Sequence, residues 1–354
     1  MSTLVQHWNS SLLITSAIGV LVAFVAATAR KQDKRSTAIL TYIGLIFILG
    51  AAALRIEELS VTLGSDLYVY RGRYENLQHF GLGTDISAST KDVGFSVLLS
   101  SAAALGLTFG QFLVAVYGII TLSLYAAARA LVSPPYALLM IALLPLYFPF
   151  HAATTNVLRQ GLAAALVCLA CSLWFSKRSS RSGVLVIISA VFMHWSALVP
   201  AATLLLVRQV RWSRRFAGTI WIFSATAFVT GVNSKLLGPL VDGSELARGY
   251  TSDTAYAQAG SAGQRVDFFV FTMSLVILLL VAERLRGVRS QWTPAFVSIA
   301  STYNLFGFVA FSDRVAMYTW ILWPVAIIGV SLQARVRPHA DPDWRAERMV
   351  TRDV

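Results

Sequence analysis

Apolar stretches long enough to cross a bilayer recur along the chain, and short clusters of arginine and lysine fence them. A hydrocarbon core about 30 Å thick takes roughly 20 apolar helical residues, and only helices or closed barrels satisfy their own backbone inside it. The stretches at residues 11–29, 38–54, 111–131, 136–150, 158–175, 216–232, 267–283, 292–309 and 315–332 predict an all-α polytopic membrane protein with about nine transmembrane helices. With 56% hydrophobic and 13% charged residues among 354, the chain is too apolar for a soluble domain. Its formal net charge of +12 sits in clusters beside apolar runs instead of interleaving with exposed aromatics, so it argues for topology and against nucleic acid.

Basic clusters stay on the cytoplasmic side. Arg30, Lys31, Lys34 and Arg35 follow the first apolar stretch instead of preceding it, which predicts an uncleaved span with the amino terminus outside. Residues 183–207 carry His194 near their middle, and at about 1.5 Å per residue a straight helix of this length overshoots the bilayer core. A single crossing would also leave Arg208, Arg211, Arg214 and Arg215 outside. Folding the stretch back at residues 194–196, as one re-entrant helical hairpin, returns them to the cytoplasm. Arg284, Arg286 and Arg289 then agree, as does a cytoplasmic tail at 335–354. The expectation is one transmembrane domain over 1–334, with external loops at 55–92 and 233–266 and a short surface or partly inserted helix over 93–107. Cys168 and Cys171 lie inside an apolar run with no second pair to complete a zinc site, so they read as packing residues.

On this topology the unusual polar residues gather at one side of the membrane. Asp66, Tyr70 and Tyr74 fall at i, i+4 and i+8, which puts a carboxylate and two phenols on one helix face, with Arg73 beside them. That face suits a sugar; a solvated loop helix with interfacial tyrosines would look the same. Arg159 follows Asn156, a candidate N-cap, so its guanidinium and the helix amino-terminal N–H groups together suit a phosphate or diphosphate. Arg314 lies at equivalent depth, with Asp313 adjacent and expected to pair with it. His194 sits at the expected break of the hairpin, where a buried structural histidine is the competing reading. Ionisable groups placed this deep are costly and mark function. No carboxylate cluster with magnesium geometry is evident, so neither a metal nor a cofactor is expected.

Asp66-x-x-x-Tyr70-x-x-x-Tyr74, Asp92-x-Gly94-Phe95, Leu158-Arg159-Gln160-x-x-Ala163, His194-x-Ser196-Ala197-Leu198 and Arg314-x-x-x-Tyr318 resemble, in order and spacing, the EpsG-like membrane proteins, which are related to Wzy-type polysaccharide polymerases. Each motif is short, and their order carries the specificity. Where the family pattern has glutamate and proline before Gly-Phe, this chain has Asp92 and Val93. The resemblance implies a fold similar to type C membrane glycosyltransferases, in the bacterial cytoplasmic membrane. It implies a polymerase that joins oligosaccharide repeat units carried on polyprenyl diphosphate, as donor and acceptor, into an exopolysaccharide, capsule or O-antigen-like chain on the outer side. Membrane lipid and other envelope polysaccharide-assembly proteins are the remaining expected partners. Arg159 and Arg314 would then neutralise the departing diphosphate. Asp66, with His194 as the alternative, would take the acceptor proton, and Tyr70, Arg73, Tyr74, Asp92, Gln160 and Tyr318 would bind substrate. A flippase for the same lipid-linked glycan and an envelope acyltransferase are the rival readings; the first should show paired half-repeats, and the second has no evident need of two external arginines.

Overall fold

A computed structural model of the protein describes residues 10–29, 34–56, 66–80, 92–176, 180–209, 213–242, 264–287, 289–309 and 312–333, and every regular element among them is helical. In chain order these are α1 (Ser10–Ala29), α2 (Lys34–Ile56), α3 (Asp66–Phe80), α4 (Val93–Ala104), α5 (Phe109–Arg129), α6 (Pro134–Leu143), α7 (Phe148–Thr155), α8 (Leu158–Phe175), α9 (Ser180–Met193), α10 (Leu198–Gln209), α11 (Arg214–Thr230), α12 (Val232–Asp242), α13 (Val266–Leu285), α14 (Trp292–Phe306) and α15 (Ser312–Gln333). Helix starts follow local chemistry. Thr108 and Gln111 form a reciprocal capping box at α5, and the Ser213 hydroxyl accepts the Phe216 N–H at α11.

The bundle is built around α8. Its small side chains, among them Ala163, Ala165, Cys168, Ala170 and Cys171, are fully buried, so α5, α9 and α15 pack closely on it. The two cysteines therefore face helices, as packing residues do, and neither forms a disulfide. Gly161 carries the tightest approach to another segment's backbone among the described glycines, because a Cβ there would run into the carbonyl oxygen of Ala153 in α7.

The helical hairpin has a direct geometric signature at both ends of α8. Gly183, in the first turns of α9, lies against the Trp174 indole near the carboxyl end of α8. His194 then lies at the other end, where it and Arg159 share the Asp92 carboxylate. Returning through a 3-10 turn at Trp195–Ala197, α10 brings the Arg208 guanidinium 5.1 Å from the ring of that same Trp174. The chain therefore runs the length of α8 and comes back, which puts Gly183 and Arg208 at one end of the bundle and His194 at the other.

Among the described residues four helices are long and apolar enough to cross a membrane: Phe109–Arg129, Leu158–Phe175, Val266–Leu285 and Ser312–Ser331. The number is six if each of two bent pairs is one span. Such helices fit a multi-pass membrane protein, although this count does not reach the nine crossings expected from hydropathy. Three features account for the difference. For α1 and α2 the count covers only Thr15–Thr28 and Arg35–Ala51, the stretches whose side chains are described. Helix α14 has 15 residues and is buried by its neighbours through almost all its length. The expected spans at 136–150 and 216–232 belong to bent pairs: α6 meets α7 at 78°, beside Pro145 and Pro149, and α11 meets α12 at 92°, beyond a left-handed Gly231. The expected external loop at 233–266 thus opens with helix α12, its residues 243–263 lying outside the described residues. So do residues 57–65 and 81–91 of the first loop, and the tail from 334.

Candidate active site

Four elements distant in sequence meet at the end of α8 that carries Arg159: the first turn of α3, the start of α4, the hairpin turn at His194, and the first turn of α15. Asp66, Tyr70, Val157, Arg159, Gln160, His194 and Arg314 line a small pocket there, with room for about one water molecule.

Asp92 is the hub behind that pocket. Its backbone takes a left-handed conformation with φ 59°, which aspartate tolerates better than most residues, and its side chain makes no capping bond to α4. Gly94 permits the contact with the hairpin, since a Cβ there would stand 3.0 Å from the Phe192 backbone. One carboxylate oxygen receives Arg159 Nη1 at 2.7 Å. The other receives His194 Nδ1 at 2.8 Å and the Trp195 N–H at 2.9 Å. Burial alone would raise the Asp92 carboxyl; the hydrogen bond and charge of His194, the charge of Arg159 and the Trp195 N–H outweigh it and hold the group below the usual carboxylate range. An ionised carboxylate only accepts hydrogen bonds, so Nδ1 of His194 is the donor, and a neutral ring then carries its lone pair on Nε2.

Arg159 is held from a second side. Its Nε donates to the Tyr70 hydroxyl at 3.1 Å, with the guanidinium carbon 5.4 Å from the Tyr70 ring centre. Tyr70 is itself buried against Phe95. Burial pushes its phenol up, and the nearby Arg159 charge offsets only part of that shift, so the hydroxyl stays protonated at neutral pH. Across the pocket, Arg314 Nη2 meets both Asp66 oxygens at 3.0 and 2.8 Å. Asp313, expected to pair with Arg314, does feel its charge and its backbone N–H, while the guanidinium takes Asp66 as its two-oxygen partner. Gln160 Nε2 donates to the Arg314 carbonyl, while Gln160 Oε1 is buried with no hydrogen-bond partner among the described residues. The amino-terminal cap of α8 is Val157, without a side-chain bond, and Asn156 closes α7 instead of capping α8.

Of the residues singled out from sequence, Asp66, Tyr70, Arg159, Gln160, His194 and Arg314 converge on the pocket. Asp92 and Tyr318 stand directly behind it, Tyr318 sharing a 2.9 Å hydrogen bond with Ser196 in the hairpin turn. Two do not reach it. Tyr74 is buried between Phe109 and Phe112 and donates to the Leu107 carbonyl at 2.6 Å, and Arg73 ties α3 to Ser96 of α4. Their helical phase was right, but the side of α3 that they occupy packs on α4 and α5. Sequence reading missed the Trp195 N–H, whose signal was its place directly after the histidine at the break. It also did not foresee the central position that Asp92 holds between Arg159 and His194.

Among the described residues no group of three or more His, Cys, Asp or Glu side chains is arranged to hold a metal ion. No curated protein and no solved structure matches the chain. The family model described as the EpsG family matches residues 39–333, a span that begins in α2, ends with α15 and takes in every residue of the pocket, and the chain accordingly belongs to the EpsG family.

Proposed function

We propose that this protein is a polymerase that joins polyprenyl-diphosphate-linked oligosaccharide repeat units into an envelope polysaccharide on the outer side of the bacterial cytoplasmic membrane. Membership of the EpsG family supports a polysaccharide polymerase-like membrane protein. The observation that carries the finer reading is the convergence of Arg159, Arg314 and an Asp92-oriented His194 on one pocket.

In this reaction the acceptor hydroxyl oxygen bonds to the anomeric carbon of the donor, the bond from that carbon to the diphosphate oxygen breaks, and the diphosphate leaves with the electron pair. The acceptor proton goes to His194 Nε2. Asp92 fixes the tautomer and orientation of the ring through Nδ1, the arrangement that lets a histidine act as general base. Arg159 and Arg314 neutralise the charge that develops on the leaving group, and hydrogen bonds to such developing charge are strongest in a water-poor site. Asp66 occupies Arg314 until donor arrives; the diphosphate replaces its carboxylate, which is then able to accept a sugar hydroxyl. Gln160 Oε1 offers a second acceptor for a sugar.

The reading is tested with purified protein in liposomes given a lipid-linked repeat unit. Glycan of increasing length is the expected product; movement of the lipid without lengthening would make the protein a flippase, and transfer of an acyl group would make it an acyltransferase. Sidedness is tested with single cysteines at Ser180, Ser213 and Ser261 in a cysteine-free background. The first two should be shielded from a membrane-impermeant thiol reagent in intact cells and the third labelled.

A further inference from the structure

The end of the bundle opposite the pocket holds a second feature, which the polymerase reading does not use. Tyr303 donates to the Arg265 carbonyl just before α13 and its hydroxyl also lies beside Ser312, and Arg265 feels the Asp313 charge, so the start of α13 lies with the start of α15, near Arg314. Glu283 is sixteen residues beyond Asp267 of that first turn, roughly 24 Å further at about 1.5 Å per residue. There Glu283 is fully buried: it accepts the Ser290 N–H at 2.7 Å and the Thr293 hydroxyl at 3.0 Å, and pairs with Arg214 Nη2 at 3.0 Å. Beyond α13, Gly287 is left-handed with φ 62°, and Arg289 lies on the same cleft as Arg284.

Arg214, Arg284 and Arg289 thereby border one cleft of about 430 Å³, whose wall continues along α13 as Ile277, Leu280 and Val281. Three guanidiniums against one carboxylate leave the cleft positive. The apolar wall belongs to the most apolar of the membrane-length helices, which is also the one least covered by the rest of the protein; Ile277 and Val281 are about half exposed. A positive mouth opening onto an exposed apolar helix face matches a molecule with an anionic head and a hydrocarbon tail. A single arginine snorkelling to the interface would need neither the shared cleft nor the buried Glu283 that fixes Arg214.

We propose that this cleft binds the phosphate headgroup of an anionic membrane lipid, with the acyl chain lying along Ile277 and Val281. Arg284 and Arg289 grip the phosphate, while Arg214, anchored by Glu283, closes the cleft from α11. The proposal is independent of the chemistry at the other end.

Native mass spectrometry of the full-length protein in detergent, titrated with phosphatidylglycerol, phosphatidylcholine or inorganic phosphate, tests it. Phosphatidylglycerol should be retained well above phosphatidylcholine. Arg284→Gln with Arg289→Gln should lower that retention roughly tenfold or more, whereas the corresponding pair of lysine replacements should keep most of it. Val281→Glu, four residues before the end of α13 and beside Arg284, puts a carboxylate next to the headgroup and should lower retention in the same way. Equal retention of the two lipids overturns the proposal, as does unchanged retention in the glutamine pair or in Val281→Glu. Displacement of the lipid by inorganic phosphate at equal concentration overturns it too, because the cleft would then recognise phosphate without its hydrocarbon.

Discussion

Asp92 Oδ1 accepts a 2.8 Å hydrogen bond from His194 Nδ1 and so fastens the turn of the α9–α10 hairpin to the residue that caps the start of α4, 102 residues earlier. Because the same carboxylate grips Arg159, the ring and the guanidinium are set relative to each other through one side chain.

Asp92→Asn keeps the shape but removes the charge, and its amide can present an N–H to His194, which favours the wrong tautomer. Polymer formation in membranes should fall roughly 100-fold or more. Because Arg159 would lose its buried counter-charge, the melting temperature should drop as well. Activity within a few-fold of wild type at equal protein abundance would remove Asp92 from the mechanism.

The Asp92 carboxyl is held below its ordinary range, so its ionised form is favoured by folding. Its contribution to stability is fully present above the unfolded value, about 3.9, and is lost as pH falls through the lower folded value. Melting curves of wild type and Asp92→Asn should therefore differ most near neutrality and converge as pH drops below about 4. A gap that widens in acid would contradict the assignment.

Lysine at Arg159 or Arg314 retains charge and loses the planar fork. At position 159 it cannot bond Asp92 and Tyr70 at once as the guanidinium does. Each replacement should weaken donor binding and reduce turnover substantially, read as donor affinity beside polymer length. Near-normal values for both variants would eliminate the diphosphate clamp.

His194→Gln and Asp66→Asn divide the two candidate base roles. With His194 as base, turnover of the glutamine variant should fall by roughly two to four orders of magnitude while donor binding persists. Asp66→Asn loosens the hold on Arg314, so its main change should be in donor affinity. Collapse of turnover in Asp66→Asn with a nearly active His194→Gln would hand the base role to Asp66.

Gly161→Ala should sharply lower the amount of folded protein in membranes, since the obstructing atom is the Ala153 backbone oxygen, which no side-chain rotation can move. Gly118→Ala on α5 is the matched control: nothing lies within 4 Å of a Cβ there, and exchanging glycine for alanine inside a helix gains up to about 1 kcal/mol. Comparable losses in both would show that helix packing is not the cause.

Helix positions, the break at His194 and the placement of Arg159 and Arg314 were legible in the sequence because each is a local property. Apolar runs, basic clusters and i, i+4 spacing are read without knowing what touches what. The ordered motifs also carried the family, since they sample the chain from α3 to α15. Partners were another matter. That Asp66 holds Arg314, 248 positions away, and that Asp92 lies between Arg159 and His194, follow from the packing of α3 and α4 against α8 and the hairpin. Tyr70 and Tyr74 share a helical phase, yet one bonds the site arginine and the other a loop carbonyl, because neighbours that no periodicity encodes decide which atoms lie beside each phenol. Hydropathy likewise marked apolar segments without distinguishing those that lipid surrounds from those, like α14, that other helices bury. Both environments reward the same side chains, and only the tertiary structure separates them.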